Sequence, residues 1–138
     1  MIVTPDSSDP PRPLEASRWI LLVEDELVLR RLLERALARQ GYRVVACGTG
    51  REALAVLQSA PTGPALLIAD VLLPDTEGTY VVDAVRQRTP PVPVILISGL
   101  GMSELEGFAV EADRFLEKPF DLSELLDHVR ELAGDPTS

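Results

Sequence analysis

One cysteine, Cys47, is the whole thiol content of the chain. It cannot form an internal disulfide, and nothing points to an oxidising compartment. Histidine is equally scarce: His128 has no second histidine or cysteine with which to build a metal site, and it reads as a surface residue on a helix whose apolar face is already full. Basic charge is short too, with 13 Lys and Arg against 22 Asp and Glu, a formal net charge of -9. Repulsion of that sign argues against direct contact with nucleic acid or an anionic membrane, and favours a basic partner or a bound cation. No apolar run is long enough to span a bilayer. The opening MIVTPDSSDPPRP has acids and prolines where a secretory signal needs basic residues and an apolar stretch. The expected location is the cytoplasm, without membrane insertion.

What is present suits one globular domain. The chain has 138 residues, 46% hydrophobic and 25% charged, which is enough to bury a core. Residues 1–17, rich in Pro, Ser and Asp, are expected to form a disordered tail, 18–133 the domain, and 134–138 a second short tail after the helix stop at Gly134. Within the domain one alternation repeats. WILLV (Trp19 to Val23) is a continuous apolar run, as a parallel strand covered on both faces requires. Leu29, Leu32, Leu33, Ala36 and Leu37 then follow helical spacing up to Gly41. RVVAC, ALLIA, PVILI and the weaker DRFLE give four more strands. Ala53, Leu54 and Leu57 mark a second helix, and Val81, Val82 and Val85 a third. The last helix carries Leu122, Leu125, Leu126 and Val129, with Asp121 placed to cap it and Glu124 three residues on. Alternation of this kind implies right-handed crossovers and an α/β fold with helices on both faces of a parallel sheet.

Ligands of such sheets gather beyond the carboxyl ends of the strands. Glu24 and Asp25 follow the first strand, Asp70 ends the third, Ser98 follows the fourth, and the fifth runs into Lys118 and Pro119. Three carboxylates brought to one edge repel each other unless a cation sits among them. A hard divalent ion, Mg2+, is the natural occupant, because it accepts a few carboxylates, waters and a phosphate oxygen. With that ion and Lys118 supplying positive charge, Asp70 could act as nucleophile toward a phosphoryl group.

The segments VEDE, DVLLPDTEG, SG and KPF occur in this order, and with them the chain from Trp19 to Leu132 resembles the receiver domains of two-component response regulators, in particular the single-domain, chemotaxis-regulator-like kind. The resemblance implies a flavodoxin-like, doubly wound sheet of strand order 2-1-3-4-5. It implies Asp70 as phosphoacceptor, and Glu24, Asp25, Asp70 and the backbone carbonyl of Leu72 as the Mg2+ site. Ser98 and Lys118 match the phosphoryl-binding pair and Phe115 the aromatic switch position, while Pro74, Gly78 and Pro119 belong to supporting loops. The implied phosphodonor is a sensor histidine kinase or a phosphotransfer protein, in a two-component system or phosphorelay, and the output is a change in affinity for a downstream protein. Catalysis is limited to self-phosphorylation and self-dephosphorylation.

Several positions depart from the family pattern. Glu24 replaces the commoner Asp, and Phe115 has no hydroxyl for the hydrogen bond a tyrosine would make. Leu72 and Leu100 are both apolar where the family borders the path of attacking water, which predicts slow loss of the phosphoryl group. GLGMSELEGFAVEAD, between Ser98 and Lys118, is slightly shorter than usual and rich in glycine, so the fourth helix should be short or irregular. A pseudo-receiver, acting as a phosphorylation-independent interaction module, is the alternative reading. Two others fail on residues: a haloacid dehalogenase-type phosphatase needs an acid where Leu72 stands, and a dinucleotide fold needs glycines where EDE stands. GTGRE lacks the Gly-Lys-Ser/Thr ending of a phosphate loop and reads as a turn and helix start. Cys47 is expected to be a buried strand-end residue, and Trp19 to lie at the end of the sheet away from the crevice. Nothing in the sequence fixes the oligomeric state.

Overall fold

The computed structural model describes residues 19–75, 78–88, 91–99 and 112–136. Their elements are β1 (Trp19–Val23), α1 (Leu27–Arg39), β2 (Arg43–Cys47), α2 (Gly50–Ser59), β3 (Leu66–Asp70), α3 (Gly78–Arg86), β4 (Val94–Ser98), β5 (Arg114–Glu117) and α4 (Leu122–Ala133). The strands form one parallel sheet in the order β2-β1-β3-β4-β5, the flavodoxin-like order. The segment where a short or irregular helix is expected between β4 and β5, with Leu100, lies outside the described residues.

Successive strand residues point to opposite faces, so continuous apolar runs supply two cores at once. Leu21, Val23, Leu67, Ala69 and Leu96 pack on one face against Ala53 and Leu57 of α2 and Val81, Val82 and Val85 of α3. Ile20, Leu22, Leu66, Ile68, Ile95 and Ile97 pack on the other against Leu33 and Leu37 of α1 and Leu125 and Val129 of α4. All residues of β1, β3 and β4 are buried, whereas β2, at an edge, alternates between exposed and covered. The sheet interior is therefore apolar, and among the described residues the buried polar side chains, Glu24, Asp70 and Ser98, stand at the strand ends.

Three details differ from the sequence expectation. Leu32, assigned by spacing to the apolar stripe of α1, is 53% exposed, and Leu27 and Val28 are exposed beside it. The fully buried residues of α1 are Leu33 and Leu37, with Leu29 partly buried one turn before them, and Leu32 falls to the side of this narrow line. Asp121 is the N-cap of α4 but makes no side-chain cap bond. Its backbone carbonyl instead receives the N–H groups of Glu124 and Leu125. His128 is half-buried rather than on the surface, with its ring nitrogens 3.9 Å from Glu124 and 3.5 Å from Glu131. Neighbouring turns of the same helix fold over it, which apolar periodicity does not register.

Chain termini of the helices meet their stops as expected. Gly41 has φ +101° and Gly134 φ +79°, the left-handed region that glycine enters without Cβ strain. Tyr42 donates its hydroxyl proton to the Gly134 carbonyl at 2.6 Å, fastening the end of α4 to the turn between α1 and β2. Cys47 is buried at the end of β2, and burial pushes its thiol up to about 11, so it is an inert packing residue at neutral pH.

A Leu33→Ala substitution should cost about 2–5 kcal/mol in urea unfolding. Leu32→Ala, one residue earlier, should change stability by no more than about 0.5 kcal/mol. Equal losses at the two positions would contradict the narrow contact of α1.

Candidate functional site

The chain leaves β1 toward β2 on one side, and β3 lies on the other, so a crevice opens between the carboxyl ends of β1 and β3. Register fixes what lines it. Val23 stands beside Ala69, so the next residue, Glu24, comes beside Asp70, and Asp70 stands beside Ile97. The N–H of Glu24 is held by the Cys47 carbonyl at 3.0 Å and that of Val71 by the Ile97 carbonyl at 2.9 Å. Both acids therefore hang from backbone already fixed by ladder bonds.

Glu24 and Asp70 are 0% and 5% exposed, while Asp25 faces solvent. One carboxylate oxygen from each of the three lies within 4.8 Å of the others. Lys118 enters from β5, its Nζ 2.7 Å from Asp70 Oδ2 and 3.2 Å from Glu24 Oε1. Its backbone N–H donates to the Ser98 carbonyl at 2.8 Å, and its peptide bond to Pro119 is cis. The second oxygen of Asp70 receives the Leu72 N–H at 3.0 Å, and the second oxygen of Glu24 receives the Glu26 N–H at 3.0 Å. Glu24 Oε1 is different: despite the nearby ammonium it has no hydrogen bond of acceptable geometry. A buried anionic oxygen without such a bond is costly, and one more cation would relieve it.

The protonation equilibria carry the same strain. Burial, and then repulsion from Asp70, push the Glu24 carboxyl above the usual carboxylate range, against the opposing pull of the Glu26 N–H and Lys118. For Lys118 burial works against the charge, but the carboxylates of Asp70 and Glu24 outweigh it and hold the ammonium above its ordinary value. The site thus keeps more negative charge than its lysine neutralises. Three carboxylates around a partly compensated pocket are a hard-oxygen donor set that fits Mg2+.

Ser98, 2% exposed, ends β4 and pairs with Glu117 of β5. Phe115 pairs with Leu96, and the two-residue period puts it on the same face of the sheet as Ser98, partly buried against the core. Leu72 is 49% exposed, Pro74 and Pro119 are exposed, and Gly78 begins α3. The fold thus brings Glu24, Asp25, Asp70 and Lys118 together, with Ser98 at the end of neighbouring β4 and Phe115 within β5.

Two contacts escaped the sequence reading. Arg30 of α1 donates to the Glu24 carbonyl at 2.9 Å, and a Cβ on Gly48 would fall 2.7 Å from its Nη1, so Gly48 leaves the guanidinium its room. Asp75, in the loop after β3 and given no role by the sequence, reaches back to the start of α2. Neither had a local signal, because both partners lie in other elements. Trp19 is at the opposite end of the sheet, where its indole N–H donates to the Thr62 carbonyl at 3.3 Å beside a cavity of about 410 Å³ lined by Arg43, Val45 and Val56.

A doubly wound parallel sheet with an acidic, lysine-bridged crevice at its switch point defines the class of the two-component signalling receiver. The chain belongs to the response regulator receiver domain family, whose pattern its residues 20–130 match. It is 36% identical over 115 residues to a probable transcriptional regulator, ycf27, of Cyanophora paradoxa, covering 82% of this chain and 47% of that one. A CheY-like response regulator receiver domain protein from Methanospirillum hungatei superimposes with a TM-score of 0.75 at 26% identity, over 87% of this chain and 96% of the other. The response regulator TrrA of Thermotoga maritima, solved in complex with Mg2+-BeF, gives a TM-score of 0.70 at 31% identity, over 83% and 98%. The chain spans about half the length of the relatives it matches. Receiver domains bind Mg2+ at an acidic pocket, interact with histidine kinases or phosphotransfer proteins, and are not enzymes as such.

Glu24 supplies a test of the strain. Its raised carboxyl means that the folded state holds the proton more tightly than the unfolded chain, so its contribution to stability is present at acidic pH and lost as pH rises through the folded value. At pH 7 Glu24→Gln should stabilise the metal-free protein by on the order of 1 kcal/mol, with the gain shrinking toward pH 4. Thermal unfolding in a chelator measures it, and a variant less stable at pH 7 would mean that Lys118 already compensates the charge.

Proposed function

We propose that Asp70 accepts a phosphoryl group from a histidine kinase or a phosphotransfer protein, and that the domain thereby switches its affinity for a downstream protein. The observation that carries this reading is the Asp70 carboxylate, buried at the end of a rigid strand, bonded to Lys118 and beside the buried oxygen of Glu24. An Asp70 oxygen attacks the phosphorus of a phosphohistidine. The O–P bond forms as the P–N bond breaks, and its electron pair leaves with the imidazole. Lys118 is within reach of the incoming phosphoryl oxygens, and Ser98 can donate its hydroxyl to one of them. Mg2+, held by Glu24, Asp25, Asp70 and the Leu72 carbonyl, would supply the charge that lets an anionic donor approach an anionic acceptor.

The phosphodonor needs a place to dock. Leu27, Val28 and Leu32 of α1 and Leu72 after Asp70 are large apolar residues left exposed on elements that border the crevice. A helical donor presenting its histidine there would cover them. We place this reaction in the cytoplasm; among the described residues no helix is long and apolar enough to cross a membrane. The relative from Cyanophora paradoxa is a probable transcriptional regulator about twice as long. We propose that the present chain makes no direct contact with nucleic acid, because its charge of -9 opposes it.

Incubated with Mg2+ and acetyl phosphate, the protein should gain the mass of one phosphoryl group, and Asp70→Asn or omission of Mg2+ should abolish the gain. If no gain occurs and Mg2+ with beryllofluoride leaves the NMR spectrum unchanged, the chain is a phosphorylation-independent interaction module instead. Once formed, the aspartyl phosphate should persist for minutes or longer, because the Leu72 side chain cannot orient a water. Intact-mass decay measures this lifetime, and Leu72→Asn should shorten it severalfold; a native lifetime of seconds would overturn the expectation.

A further inference from the structure

The first N–H groups of a helix have no partners within it. In α2 they are all accounted for. Thr49 accepts the Glu52 N–H at 3.1 Å with its hydroxyl, and its carbonyl receives the Ala53 N–H at 3.2 Å. Glu52 returns its own carboxylate to the Gly48 N–H at 2.8 Å. The remaining pair, Gly50 and Arg51, donate at 2.9 Å each to the two oxygens of one side chain, Asp75. That side chain comes from the loop after β3, not from the helix's own sequence neighbourhood. Thr49 caps α2 through Glu52, and the forked contact from Asp75 completes the helix start while tying the loop to it.

Residues 71–75, the described part of this loop, are held at both ends. Val71, fully buried, is bonded to the Ile97 carbonyl, and Leu72 donates to Asp70 Oδ1. Pro74 fixes its own φ, and Asp75 anchors the far end. The Leu72 peptide therefore sits between two anchors, one in the sheet and one on α2. We propose that Asp75 is a positioning residue: by clamping the loop to the start of α2 it holds the Leu72 backbone in place beside Asp70, and so supports the cation site. The cation part of this inference rests on the proposed Mg2+ site; the clamp itself does not.

The electrostatics agree with the geometry. The Arg51 and Gly50 N–H groups hold the Asp75 carboxyl below the usual carboxylate range, so it is charged throughout the neutral range and complements the positive end of α2.

The test compares Asp75→Ala, Asp75→Asn and Thr49→Ala in the full chain. Thr49→Ala removes the helix's own cap without touching the loop, which makes it the control for a merely structural effect. Without metal, Asp75→Ala should speed amide hydrogen exchange at Leu72 by about tenfold, while Thr49→Ala leaves that amide unchanged. In calorimetric titration with Mg2+, Asp75→Ala should weaken binding by about tenfold, the scale on which residues supporting a metal ligand act. Asp75→Asn, which keeps one acceptor oxygen, should recover part of both effects. Unchanged Leu72 exchange in Asp75→Ala, or an equal change in Thr49→Ala, would overturn the proposal. If the native protein binds no Mg2+, the metal reading falls, and the exchange comparison alone decides whether Asp75 positions the loop.

Discussion

Two carboxylates buried at the end of an apolar sheet, with one ammonium between them, set the terms for the rest of the molecule. Removing Glu24 and Asp70 from water costs far more than their mutual arrangement returns, and repulsion between them adds to the cost. Lys118 offsets part of it, being 2.7 Å from Asp70 and 3.2 Å from Glu24, but leaves Glu24 Oε1 without a hydrogen bond. Such a cluster persists only if its backbone is over-determined. Here the apolar interiors of β1, β3 and β4 do that, and the stability they contribute offsets a pocket that holds an excess of negative charge.

The topology follows from the same need. A parallel sheet sends every strand's carboxyl end to one edge, and the reversal between β1 and β3 leaves that edge uncovered by a crossover. Residues distant in sequence then meet at or just beyond the strand ends. The acids come from strand ends, Lys118 from the end of β5, and the backbone around them is tied by N–H bonds from Glu24, Val71 and Lys118 to neighbouring strands. Arg30 and Asp75 extend this bracing outward, one from α1 to the Glu24 carbonyl and one from the loop after Asp70 to α2.

Much of this is legible in the sequence because two rules act over long distances. Continuous apolar runs such as LLIAD mean a strand covered on both faces, and parallel strands mean a shared carboxyl edge, so Glu24, Asp70 and Lys118 can be brought together on paper. What those rules omit is which side of a residue faces what. Glu24 and Asp25 are adjacent acids, yet the first is sealed, its N–H still tied to the Cys47 carbonyl of β2, and the second is open. Leu32 satisfies helical spacing but misses the narrow line along which α1 meets the sheet. Asp75 depends on partners whose approach is set by the packing of whole elements, and no local pattern encodes it.

Lys118 ties the chemistry of Asp70 to the far side of the sheet. Its side chain is bonded to Asp70, its backbone to Ser98, and it lies three residues after Phe115, which shares a face with Ser98. In the proposed reading, a phosphoryl group on Asp70 adds acceptor oxygens that compete for both the ammonium and the Ser98 hydroxyl. Any shift of Ser98 toward them changes the space beside Phe115, and a phenyl ring can respond only by packing, since it has no hydroxyl to exchange partners. In that reading the coupling would be steric rather than hydrogen-bonded, passing through the packing of Phe115 on the face of the sheet it shares with Ser98, not through a new polar contact of the ring.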